Sequence, residues 1–230
     1  MKKLIIISMV AAAAVNSFGQ VNWVYDNTSA PSAISAGTSN ALLTATWGDQ
    51  VSLTQGGIMD GFTFGIFNST TGGNTGNLLT ANVLFNFFDL TSGPYTGGAI
   101  TAPPLGSFTG NINFGTGLNA GFFTTATFTG LASLNINLPQ NILITQQVTS
   151  FTGTTNRLGV VTFTTDNIGS SFGADAFYRK DSAGEGLVSF AAPTSNKLAY
   201  RVGLVPEPAS FAVIGLGLLG LVARRRKSSK

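Results

Sequence analysis

The sequence predicts an all-β protein: a two-sheet antiparallel sandwich with a jelly-roll-like path, flanked by an N-terminal signal helix and a C-terminal transmembrane helix. Three observations lead there. Between residues 21 and 203 apolar and polar residues alternate with period two, in short runs separated by Gly, Asn, Ser and Pro. No stretch of that region shows an apolar 3.6 period with helix caps. The composition is that of an uncharged strand-former: Thr (28), Gly (29) and Phe (18) abound, and only 9% of residues are charged, against roughly 25% in an average domain.

The strands follow in order. Gly61–Phe67 puts Phe62, Phe64 and Ile66 on one face, and Ala81–Leu90 puts Val83, Phe85 and Phe87 on one face with Leu84 and Phe88 on the other. Ala120–Gly130 is a further strand, followed by Leu131–Leu138, where Leu134, Ile136 and Leu138 alternate with polar residues. Ile142–Val148, Leu158–Thr164, Ala176–Tyr178, Leu187–Phe190 and Leu198–Val202 complete the set. Nine to eleven strands at this spacing suggest a sandwich. The predicted core contains Phe62, Phe64, Phe85, Phe87, Ile142, Ile144, Phe163 and Phe190. Phe-Thr-Gly at 108–110, 128–130 and 151–153 reads as a strand end followed by a turn glycine.

The two ends differ from this middle. Met1-Lys2-Lys3, an apolar run from Leu4 to Val15, and small residues Ser17 and Gly19 make a secretory signal peptide, residues 1–19, cut between Gly19 and Gln20. Residues 20–203 are the sandwich domain. Residues 204–230 form a third segment with three parts. Pro206, Glu207 and Pro208 lie in a stretch (205–208) that the prolines hold out of helix. Residues 209–223 carry no charge and read as a short transmembrane helix, about 22 Å against a hydrocarbon core of roughly 30 Å. Arg224, Arg225, Arg226 and Lys227 (in 224–230) form a stop-transfer cluster on the cytoplasmic side.

Val-Pro-Glu-Pro-Ala-Ser, a short Gly- and Leu-rich span and Arg-Arg-Arg-Lys at the end together resemble the PEP-CTERM sorting signal of gram-negative bacteria. The resemblance covers only residues 205–230. It implies export through the Sec machinery, recognition by an exosortase and a cut near Pro206–Pro208, giving a membrane-anchored precursor and then a protein of the cell surface or extracellular matrix. Bacteria with such signals often make exopolysaccharide, so a biofilm or exopolysaccharide matrix is the implied setting. The signal gives a destination and leaves the activity of the middle open.

The middle excludes much. The chain has no His and no Cys, so triads, thiol nucleophiles, disulfides and the usual zinc and haem sites cannot be built. Between 21 and 203 five basic residues face eight acids, which gives no basic face for phosphate and predicts no nucleic-acid partner. The acids stand singly apart from Asp175, Asp181 and Glu185. With Arg179 and Lys180 among them, these read as a surface ion-pair group, with a calcium site as the alternative. No catalytic residue and no cofactor are predicted. The sequence therefore reads as a non-catalytic structural or adhesive matrix protein. The alternative is a carbohydrate-binding module that holds a glycan between loops 68–78 and 91–106, with Tyr95 as the stacking ring. That alternative requires both loops at one end of the sandwich. Asn27-Thr28-Ser29 and Asn68-Ser69-Thr70 fit the N-glycosylation pattern.

Overall fold

Strands of alternating pattern with one apolar face must bury that face against another sheet, and the computed structural model shows two antiparallel sheets doing so. It describes residues 21–28, 34–36, 45–163, 165–172, 176–189 and 197–205. The signal segment, Phe190 and the C-terminal tail from 206 onward lie outside these. The first sheet holds β1 (Asn22–Asp26), β2 (Ile34–Ala36), β4 (Gly57–Asn68), β7 (Phe123–Thr129), β8 (Asn137–Leu138), β10 (Leu158–Phe163), β14 (Lys197–Leu198) and β15 (Tyr200–Leu204). The second holds β3 (Thr46–Ser52), β5 (Asn77–Asp89), β6 (Gly106–Asn119), β9 (Asn141–Gly153), β11 (Ser170–Ser171), β12 (Phe177–Asp181) and β13 (Gly184–Val188). The chain switches sheet repeatedly. The fifteen strands among the described residues exceed the expected number because several are two- or three-residue pieces.

The core lies where β4 faces β5. Phe62, Phe64, Phe85 and Phe87 are fully buried. Phe62 meets Phe85 edge-on at 4.9 Å, and Phe64 meets Phe85 at 4.8 Å. Ile142 and Ile144 on β9 close the same core. Phe108 and Phe128 join it from the strands at one rim of the sandwich. Edge-to-face rings contribute about 0.5–1.5 kcal/mol per pair beyond the area they bury.

Three sequence expectations change, and one falls outside the described residues. Phe163 is buried, but in a separate small cluster with Val161, Ala199 and Phe67. β10 is buried on both faces, so period two cannot tell inside from outside there, and it is Leu158 and Val160 that point into the main core. Phe190 lies outside the described residues. Leu131–Leu134 is a one-turn 3-10 segment, with only Asn137–Leu138 extended. Asn135 adopts a left-handed φ of 52°, which ends the alternation and leaves Leu134 exposed while Ile136 and Leu138 stay buried. Phe-Thr-Gly closes β9, and at 128–130 it leads out of β7 into Gly130, a left-handed turn residue. Gly110 instead sits within β6, where a Cβ would overlap the Phe128 ring.

Two substitutions follow from this packing. Phe85→Ala should destabilise the domain by about 3–5 kcal/mol in equilibrium urea unfolding, while Phe122→Ala, at a position 62% exposed, should stay within about 0.5 kcal/mol of the parent. Gly110→Ala should lose about 1–3 kcal/mol by displacing Phe128.

Candidate functional site

The two long loops do not meet. Loop 68–78 leads into β5 and loop 91–106 follows it, so the thirteen-residue strand holds them about 40 Å apart. Loop 68–78 exposes Thr70–Gly73 but is pinned from within. Asn68 and Asn74 are buried. The Asn68 carbonyl oxygen accepts from Thr155 Oγ1 at 2.6 Å and from Asn74 Nδ2 at 3.0 Å, and its amide donates to Gly76 O and Leu118 O. Asn27 is equally enclosed, donating to Leu198 O at 2.6 Å and accepting from Tyr200 N at 2.8 Å. Neither asparagine can carry a glycan in the folded protein.

Tyr95 is held by the protein itself. Its backbone N–H donates to Gln50 Oε1 at 2.7 Å, Gln50 Nε2 donates back to Tyr95 O at 3.1 Å, and its hydroxyl donates to Gly98 O. The ring packs edge-on against Tyr178 at 5.6 Å, in a small outer cluster with Leu90 and Leu143. A half-buried ring in such contacts is a clamp for loop 91–106.

Glu185 completes the clamp. It accepts from Ile100 N at 2.8 Å and Tyr178 Oη at 2.9 Å, and pairs with Lys180 at 3.1 Å. Desolvation raises its pKa, but the Ile100, Lys180 and Tyr178 bonds outweigh that and hold it below the ordinary carboxylate range. Asp181 pairs with Arg179 and caps the β12–β13 turn through Ala183 N. Arg179, Asp181 and Glu185 border a shallow groove of about 290 Å³ with Gly184, Gly186 and Val188. Asp175 lies outside the described residues. Among the described residues no three acidic side chains come together as a metal site would need, and the acids here form ion pairs and a turn cap.

Sequence reasoning missed an interior polar cluster. Asp49, on β3, accepts from Gln50 N at 2.8 Å and, across to the other sheet, from Leu198 N at 2.9 Å. Nearby, Asp166 accepts from Tyr25 Oη at 3.0 Å and pairs with Lys197. Asp26 pairs with Arg201 at 3.1 Å, and that guanidinium lies 3.9 Å over the Trp23 ring. Burial pushes the Asp49 carboxyl up to about 7. The two N–H donors and Lys197 oppose this, and Asp166 adds to it. A raised carboxyl suggests a general acid, yet Asp49 is buried and does not line the groove.

The other missed feature is the outer face of the second sheet. Thr80, Asn82, Leu84 and Asn86 of β5 stand opposite Asn113, Asn111, Thr109 and Ser107 of β6, and on the other side opposite Thr152, Ser150, Gln147 and Thr145 of β9. Asn111 donates to Asn82, which donates to Ser150, each at 2.7 Å, and Ser107 donates to Asn86 at 2.7 Å. This strip of three strands carries no charge. It spans about 10 Å by 25 Å.

β15 ends at Leu204, and residues 204–227 match the PEP-CTERM protein-sorting motif. The chain carries a PEP-CTERM sorting signal. The motif marks an exported, exosortase-processed protein whose precursor associates with the membrane. No curated protein and no solved structure matches the chain. Pro206, Glu207, Pro208, the Arg224–Lys227 cluster and the Gly19/Gln20 junction lie outside the described residues. So does the 209–223 span; among the described residues no helix is long and apolar enough to cross a membrane.

Asp49 gives a pH test. Its proton leaves near 3.8 in the unfolded chain and near 7 in the fold, so between those values the folded state binds more protons. Its contribution to stability is therefore present in full below about 4, is lost as pH rises to about 7, and is constant above. Asp49→Asn should be less stable at low pH, because its amide nitrogen cannot accept the second N–H. Its urea midpoint should lack the downward slope between pH 4 and 7 that Asp49 gives the parent. Parallel slopes in the two proteins would place the raised carboxyl elsewhere.

Proposed function

We propose that this chain is a non-catalytic structural protein of the outer surface or extracellular matrix, delivered there by its sorting signal and adhering to neutral exopolysaccharide through the outer face of β5, β6 and β9. The sorting motif directly after β15 carries the first half of this reading. The described acids support the absence of catalysis, since each has a structural partner: Asp26, Asp49, Asp166, Asp181 and Glu185 as above, Asp60 on Ala132 N and Asp89 on Thr91. The Asn, Thr, Ser and Gln strip supports the second half. It offers donors and acceptors already fixed by their neighbours, without long-range repulsion. The loop-borne glycan module has no comparable support, because its two loops are at opposite ends of β5.

Two experiments test the halves separately. In an exosortase-bearing host, Glu207→Ala should accumulate as a longer membrane-retained form, while the parent is cleaved near Pro206–Pro208 and leaves the membrane fraction. Equal full-length retention of both would make the tail an anchor alone. For adhesion, residues 20–205 should sediment with insoluble neutral glucan. Asn82→Ala with Asn111→Ala should weaken that about 10-fold, the scale of one or two hydrogen bonds, and Tyr95→Ala should leave it unchanged. Loss through Tyr95 alone would move the site to loop 91–106.

A further inference from the structure

The strand β7 is a sheet edge without the usual guards. It pairs with β4 in unbroken register, from Gly61↔Thr129 to Phe67↔Phe123, and with no other strand among the described residues. Asn68 N donates to Phe122 O at 2.9 Å, which sets the alternation of the antiparallel ladder. Thr124, Ala126 and Phe128 turn their backbone groups to β4. Phe123, Thr125, Thr127 and Thr129 turn theirs away from it. Natural edges are blunted by charge, proline or a bulge. Three other rims carry a charged residue: Asp26 in β1, Glu185 in β13 and Lys197 in β14. In β6 the ladder is broken next to Gly115 and Gly117, at φ 60° and 101°. β7 reads Phe-Thr-Thr-Ala-Thr-Phe-Thr, with no charge, proline or glycine, the composition that favours strand pairing between chains.

We propose that β7 is a self-association edge, pairing antiparallel with the β7 of a second copy about a two-fold axis at Ala126. The occupant follows from the symmetry of the strand. With that centre the outward-facing groups of residues 123, 125, 127 and 129 meet those of 129, 127, 125 and 123 in the second copy, closing up to about eight hydrogen bonds. Thr125 falls opposite Thr127 in both directions, a favourable cross-strand pair. The solvent-side residues of β7 are exposed and neutral, so the two identical edges approach without repulsion. The paired β7 strands join two eight-stranded sheets into one, and the contact is isologous.

The domain core lies wholly within Trp23–Leu204, so residues 20–205 keep every core residue and can be tested beside the full chain in detergent. Sedimentation equilibrium should show a monomer–dimer equilibrium for both. Thr125→Lys with Thr129→Lys brings like charges together across the axis and should weaken dimerisation by at least roughly 100-fold. Thr109→Lys, on the outer face of the other sheet, should not. Because the chain has no cysteine, Ala126→Cys gives a second readout that needs no disruptive change. Directly opposite non-hydrogen-bonded residues lie about 4.5 Å apart at Cα, within disulfide range. Ala126→Cys should oxidise to a covalent dimer, and Thr109→Cys should form no covalent dimer while keeping the reversible association of the parent. A parent that stays monomeric to about 1 mM, equivalent to roughly 4 kcal/mol, overturns the proposal. So does a dimer indifferent to the Thr125/Thr129 pair, an equal effect of Thr109→Lys, or crosslinking at 109 in place of 126. Adhesion to glucan is read on a different face, so either proposal can fail without the other.

Discussion

The two sheets are held together by phenylalanine rings packed between β4 and β5. Phe62 touches Phe85, Phe87 and Phe108, and Phe85 touches Phe64 and Phe128. Each ring therefore fixes the position of several others, and the spacing of the sheets is set by ring size. Small residues make room: Gly110 lies beneath Phe128, and Gly65 on the opposite face of β4 lies against Val161 and Ala199. A chain without cysteine has no covalent staple, and at this size the burial of such a core suffices.

Around that apolar centre the interior polar groups act as directional pins. Asp49 and Asn27 both bind the backbone at 198–200, one from the opposite sheet and one from the segment after β1. Asn68 ties the end of β4 to Gly76, just before β5, and to Leu118 in β6. Hydrophobic burial is non-directional. These bonds choose one register among those the rings would accept, because a slip would leave several buried polar groups without partners.

The sandwich was legible in the sequence because β4 and β5 carry Phe62, Phe64, Phe85 and Phe87 at alternate positions, and β9 carries Ile142 and Ile144 in the same way. β6 was not. Its Gly and Asn residues are turn signals, and what makes it a strand is a partner, β5, that is itself well patterned. Phe163 was misplaced because a strand buried on both faces gives no period to read. Asp49 was a lone acid between Gly48 and Gln50, and its partner Leu198 is 149 residues away. Tyr95 drew notice as a ring in a loop, but its neighbours Gln50 and Tyr178 come from distant strands, and only the fold shows that it is already occupied. The sorting motif was legible in full because it is read as local sequence, without need of tertiary structure.

The absence of a spacer between the last strand and the sorting motif has a mechanical consequence. β15 lies between β1 and β4 within its sheet, and the motif begins at its final residue, Leu204. Any tension applied through that end enters the domain along the axis of an interior strand. The hydrogen bonds on both flanks are then loaded together in shear and share the force, where a peripheral strand pulled sideways would open one bond at a time.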